Sequence, residues 1–194
     1  MHALTTAAFA AVYPKDANWR RIDYLAGGNA RQRSAFAALS DSGLWSRLQA
    51  CGDCALVSTV TIGLDVASSD LDILCHGDPA SFAAALDPFF IYQSHRHPSG
   101  ATVLRGALAH WPIELFITQT PLEQCHSWRH LAIMARLLTL FGCRFSEQIT
   151  ALRRQGLKGE AAMAHTLALD GDPYAALLTL EHRTDADLLA LWTP

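Results

Sequence analysis

The stretch Ser58–Cys75, STVTIGLDVASSDLDILC, sets Asp70 and Asp72 two positions apart in an apolar run, behind a loop that holds Gly63 and the pair Ser68-Ser69. Side chains of a strand alternate between faces. This spacing therefore puts both carboxylates on one face, with Cα atoms roughly 7 Å apart, and turns Leu71 and Ile73 to the other. Two like charges held so close require a cation. A third acid obeys the same rule. Glu114 lies in another β-type run, WPIELFIT, flanked by Ile113 and Leu115, which period 2 sends to the face opposite its own. Carboxylates brought together from two strands make an oxygen-rich site suited to Mg²⁺, which binds through carboxylates, waters and substrate phosphates. That donor set belongs to metal-assisted phosphoryl or nucleotidyl transfer.

Working outward, the segment NARQRSAFAALSDSGLWSRLQA reads as an amphipathic helix behind the N-cap Asn29, divided at Ser42-Gly43. CALVSTV and SDLDILC read as strands on either side of the Gly63 loop, and PASFAAALDPFF as a helix opened by Pro79. Three further β-type runs follow, IYQSHR, ATVLRGALAH and WPIELFIT, so the economical assembly is a mixed sheet of about four or five strands. From Pro121 onward the apolar period becomes helical, with Gly142, Gly156 and Gly171 at the breaks. The expected architecture is thus α+β: a mixed sheet with flanking helices over residues 1–120, then a helical subdomain over 121–194.

Composition narrows the function classes. The chain has 194 residues, 51% hydrophobic and 17% charged, with a formal net charge of −3, so no global charge draws it to a polyanion or an anionic membrane. Its longest apolar stretch, LAIMARLLTLFG, is interrupted by Arg136 and falls short of a membrane span. The start, MHALTTAAFAAVYPK, lacks the cationic region of a secretory signal, and five cysteines is an odd count; the expectation is a reducing, cytoplasmic setting.

The acidic pattern resembles the nucleotidyltransferase superfamily, which includes aminoglycoside nucleotidyltransferases and polymerase-β-like enzymes. Its members carry a Gly-Ser loop, a downstream glycine, Ser-Asp-x-Asp on a strand and a third acid on a later strand. Here Ser58-Thr59 stands at the Gly-Ser position, Gly63 at the glycine, and Ser69, Asp70, Asp72 and Glu114 at the rest. More closely, the chain is similar to a bacterial family of unknown function within that superfamily, through GGNARQ, IGLDVASSDLDI, WRHL, and GLKGE followed by GDPY. The resemblance implies a nucleotidyltransferase-like fold and a nucleoside triphosphate such as ATP, bound with Mg²⁺ or Mn²⁺ on Asp70, Asp72 and Glu114. It implies transfer of a nucleoside monophosphate to a hydroxyl or amine of a small molecule, an RNA or a protein. The alternative is a binding module for a protein or nucleic acid that kept the fold and lost turnover.

The loop at Ser58-Thr59 differs from the family in lacking the leading glycine and any basic residue. Positive charge for the phosphates is therefore sought elsewhere. Arg129 and Arg136, seven apart on one helical face, and Lys158, one of two lysines in the chain, are the candidates. The C-x-x-C at Cys51 and Cys54 invites a zinc or thiol-redox reading. Neither Cys75-His76 nor Cys125-His126 supplies the second ligand pair of a common zinc site, and the order of helix, motif, strand is the reverse of a redox motif.

Overall fold

The computed structural model describes residues 18–193; the reading of the amino-terminal stretch as lacking a signal lies outside them. The chain divides into two compact units, one formed by residues 18–63 and 68–128, the other by 64–67 and the chain from 129 onward.

In the first unit, Asn29 caps helix α1 (Ala30–Phe36) through a reciprocal box. The Asn29 side chain accepts the Gln32 N–H, and the Gln32 side chain accepts that of Asn29. A π-helical turn, Ala37–Asp41, follows. The helix breaks at Gly43, whose φ of 81° suits glycine, before α2 (Leu44–Cys51). Strand β1 (Asp53–Leu56) leads through a 3₁₀ turn, Thr59–Ile62, to β2 (Leu71–His76). Helix α3 (Pro79–Leu86) starts behind the cap Asp78 and is followed by β3 (Gln93–Arg96), β4 (Thr102–Leu108) and β5 (Trp111–Thr118).

The five strands are ordered β1-β2-β5-β4-β3. β2 and β5 run parallel, whereas the other neighbours are antiparallel. A parallel pair needs a long crossover, and α3, β3 and β4 provide it. One face of the sheet is sealed by Leu71, Ile73 and Cys75 of β2 with Ile113, Leu115 and Ile117 of β5, packed in one core with Leu39, Leu44 and Leu48. Because the side-chain period is 2, this burial fixes the register: a slip of one residue would bring Asp72 and Glu114 into the core.

Two expectations are corrected. Ser58, Thr59 and Val60 do not continue a strand. The Ser58 hydroxyl accepts the Val60 N–H at 3.4 Å and the Thr61 hydroxyl donates to the Ser58 carbonyl at 2.7 Å, so local side-chain bonds fold the segment into a turn despite its β-branched residues. Asp70 lies just ahead of β2 rather than within it, its carbonyl accepting the Ser58 hydroxyl at 2.6 Å.

The β4–β5 hairpin closes with the two residues Ala109 and His110 between the paired Leu108 and Trp111. Ala109 has φ 54°, a left-handed conformation that costs an L-residue about 1–2 kcal/mol. Ala109→Gly is expected to stabilise the protein by about 0.5 kcal/mol once glycine's greater chain entropy is subtracted. A urea midpoint raised at constant m-value would show this, and a lowered midpoint would contradict it.

The other unit is helical. Its elements are α4 (His126–Phe141), whose first residues belong to the sheet unit, α5 (Cys143–Arg154), α6 (Gly159–Thr166), α7 (Pro173–Leu178) and α8 (Asp185–Leu189). Leu131, Leu137, Leu138, Phe145, Ile149 and Met163 are buried, and the rings of Phe141, Phe145 and Trp192 meet at centroid distances of 4.8–5.3 Å. Among the described residues no helix is long and apolar enough to cross a membrane.

Candidate active site

The face of the sheet opposite its core carries a row of charge. Asp72 on β2 is the register partner of Glu114 on β5, and Glu114 is the register partner of Arg105 on β4. Three adjacent strands thus present acid, acid and base side by side, with Gln93 of β3 next in line. The Arg105 Nε donates to Glu114 Oε2. Glu114 is half-buried, whereas the Arg105 side chain is 59% exposed. This bond to Glu114, the charge of Glu114, and then the charges of Asp70 and Asp72 hold Arg105 more firmly protonated than an ordinary arginine. All three predicted acids therefore lie within electrostatic reach of one guanidinium. Among the described residues no group of three or more His, Cys, Asp or Glu side chains is arranged to enclose a metal ion.

Beside the row runs the Ser58–Gly63 loop. Ser58 is buried, with its hydroxyl committed to the Asp70 carbonyl, so loop and acidic segment are tied together. Thr59 is half-buried, and Ser69 is buried at the other end of the connection to β2. Gly63 ends the turn with φ 68°, the left-handed value that makes a glycine useful there. The loop is also held from below. Gln32, 2% exposed, donates its Nε2 to the Val60 carbonyl at 3.0 Å while its Oε1 accepts the Asn29 N–H at 2.9 Å. Gly28 leaves room for this, since a Cβ there would stand 2.2 Å from Gln32 Oε1. The GGNARQ motif is thereby explained: it caps a helix and, with the same amide, fixes the turn at Val60.

Arg105 and Gln32 were not singled out in the sequence, although one had a signal. A two-residue turn at Ala109-His110, counted back in equal steps along both strands, sets Arg105 opposite Glu114. Gln32 had only its capping role to show, because its second partner is 28 positions away.

The expected cationic residues are placed as follows. Arg129 and Arg136 lie on α4, and each holds a carboxylate of its own unit. Arg129 makes a forked contact with Glu181 at 2.5–3.1 Å, which holds that acid below its usual pKa range. Arg136 grips Asp185 at 2.7 and 2.9 Å and the Arg183 carbonyl at 2.7 Å. With His130 at 3.0 Å from the Tyr174 carbonyl, the WRHL motif fastens the GDPY segment and the residues after it. Lys158 is exposed at the N-cap of α6.

The cysteines are all free. Cys54 and Cys75 face each other across β1 and β2 with sulfurs 3.8 Å apart, and burial pushes the Cys75 thiol well up. Cys51, at the end of α2, is likewise raised by burial. Raised thiols are poor nucleophiles at neutral pH.

The five-stranded mixed sheet with flanking helices is a nucleotidyltransferase-like fold. Two solved structures of Cid1 poly(U) polymerase, a mutant bound to MgATP and a form bound to MgGTP, superpose on it with TM-scores of 0.50 at 12% and 13% identity, covering 90% of this chain. The chain spans 54% of the length of those structures. No curated protein sequence matches it. The chain belongs to the family described as "Domain of unknown function (DUF4269)", whose model matches residues 37–180.

Proposed function

We propose that this protein is a metal-dependent nucleotidyltransferase that moves a nucleoside monophosphate from a nucleoside triphosphate to a hydroxyl or amine acceptor. The observation that carries the reading is the side-by-side register of Asp72 and Glu114 on neighbouring parallel strands of a nucleotidyltransferase-like sheet. The donor type suits a hard divalent ion: carboxylates on adjacent strands at Asp72 and Glu114 and a third at Asp70 are the oxygen ligands that Mg²⁺ takes together with waters and phosphates. Asp70, Asp72 and Glu114 are the residues that would hold Mg²⁺ or Mn²⁺.

When bound, the metal neutralises phosphate charge and stabilises the oxygens that enter and leave at the α-phosphorus. The chain's own residues do the rest. Asp70, just ahead of β2, and Asp72, within it, would hold the ion that the triphosphate binds through. Thr59 offers its N–H and hydroxyl to a phosphate oxygen, and Gly63 lets the turn close beneath it, with Ser58 and Ser69 holding the two ends of the connection. Glu114, where it is spared as a ligand, accepts the acceptor's proton. The acceptor's oxygen or nitrogen bonds to the α-phosphorus as the bond to the α–β bridging oxygen breaks, and pyrophosphate leaves with that oxygen.

The test is a screen of labelled ATP, GTP, CTP and UTP with Mn²⁺ or Mg²⁺ against small-molecule, RNA and protein acceptors. Metal-dependent transfer of label, lost on chelation, is the expected result. Triphosphate binding with no transfer to any acceptor would favour the binding-module reading, and no binding of metal or triphosphate would remove the enzymatic one.

A further inference from the structure

We infer that Arg105 works in two positions: it is the resident counter-cation of Glu114 in the metal-free protein, and the group that takes the triphosphate once a divalent ion has displaced it. The inference rests on the nucleotidyltransferase reading and assigns that site its missing positive charge. Three observations support it. Arg105 is the direct cross-strand neighbour of Glu114 and bonds to it, so an incoming metal and the guanidinium compete for one carboxylate. Its side chain is 59% exposed, and it is held by one hydrogen bond to Glu114 and by the charges of the three acids, all of which a divalent ion would weaken. Finally, the Thr59–Ile62 turn contains no basic residue, and Arg129 and Arg136 have carboxylates of their own.

The energetics favour the exchange. An exposed arginine–carboxylate pair is weak, whereas a divalent ion beside Asp70, Asp72 and Glu114 gains from three negative charges. The displaced guanidinium can then fork two oxygens of a phosphate, in place of the single Glu114 oxygen it holds through Nε. Binding of metal and of triphosphate becomes mutually reinforcing, and the ion pair keeps Glu114 matched in the interval.

The experiment uses the full chain and reads binding, not turnover. Mn²⁺ affinity is measured by the electron paramagnetic resonance of the free ion, and triphosphate affinity by calorimetry at saturating Mn²⁺, for wild type, Arg105→Gln, Arg105→Lys and Glu114→Gln. Arg105→Gln is expected to bind Mn²⁺ alone about three- to fivefold more tightly, as a competing surface ion pair is removed. It should bind triphosphate about tenfold more weakly, as a charge-assisted bond is lost. Arg105→Lys, which keeps the charge and loses the fork, should fall between. Glu114→Gln should bind Mn²⁺ more weakly than wild type. If Arg105→Gln matches wild type in Mn²⁺ affinity, or keeps full triphosphate affinity, the two-position role is overturned while the metal site stands. If no form binds Mn²⁺, the nucleotidyltransferase reading fails, and the role of Arg105 with it.

Discussion

If Asp72 holds the metal as proposed, Asp72→Asn is expected to weaken Mg²⁺-dependent triphosphate binding by more than about a hundredfold, since loss of a direct carboxylate ligand exceeds the 10- to 100-fold typical of its supporting groups. The apo protein should keep its melting temperature or gain slightly. Asp72 and Glu114 stand in register on neighbouring strands, and like charges in that position oppose strand pairing by about 0.2–1 kcal/mol. The substitution removes one of them. A structural aspartate would behave the other way, because loss of a buried acceptor costs about 1 kcal/mol or more. Thermal melts of wild type and variant, each with and without Mg²⁺ and nucleotide, separate the two. A destabilised apo variant, with no ligand-induced shift in wild type, would exclude a metal role for the residue.

Gln32→Ala is expected to cost about 2–4 kcal/mol of stability, since it strips a buried amide from two backbone partners and leaves a small cavity. The more telling variant is Gln32→Glu. Its carboxylate still accepts the Asn29 N–H and preserves the helix cap, but it cannot donate to the Val60 carbonyl. If the tie to Val60 sets the shape of the phosphate-facing turn, Gln32→Glu should lose triphosphate affinity while retaining Mn²⁺ affinity. Equal losses of both, or neither, would limit Gln32 to capping. Urea denaturation with parallel Mn²⁺ and triphosphate titrations provides the comparison.

What the sequence disclosed and what it hid divide along a physical line. Asn29, Gly43 and Pro79 announce helix ends by local chemistry, and alternation in WPIELFIT assigns Glu114 to its face without reference to any other segment. The helical period after Pro121 is equally local. The limits of β1 and the 3₁₀ turn were hidden because Val60 and its neighbours favour extended backbone, while the Ser58 and Thr61 hydroxyls outweigh that preference once the turn has closed. Arg129 and Arg136 announced a shared helical face, but their carboxylates, Glu181 and Asp185, are about fifty positions away in the chain. No spacing rule reaches that far. Gln32 illustrates the same boundary from the other side: its capping bond is a matter of three residues, its bond to Val60 a matter of tertiary structure.

The mixed topology of the sheet also sets an order of assembly. Arg105 and Glu114 are nine positions apart in a hairpin, a local contact that forms within microseconds. Asp72 and Glu114 meet only after the chain has closed a loop of forty-two positions into a parallel pair, the slow kind of event in folding. Glu114 therefore acquires its guanidinium before it acquires its fellow acid. When β2 docks beside β5, the charge that Asp72 approaches is already partly matched, and part of the repulsion that would have raised the barrier to docking is offset in advance. By sequence separation alone, the guanidinium of Arg105 offsets one of the carboxylates that the sheet brings together before the long-range pairing of β2 with β5 can form.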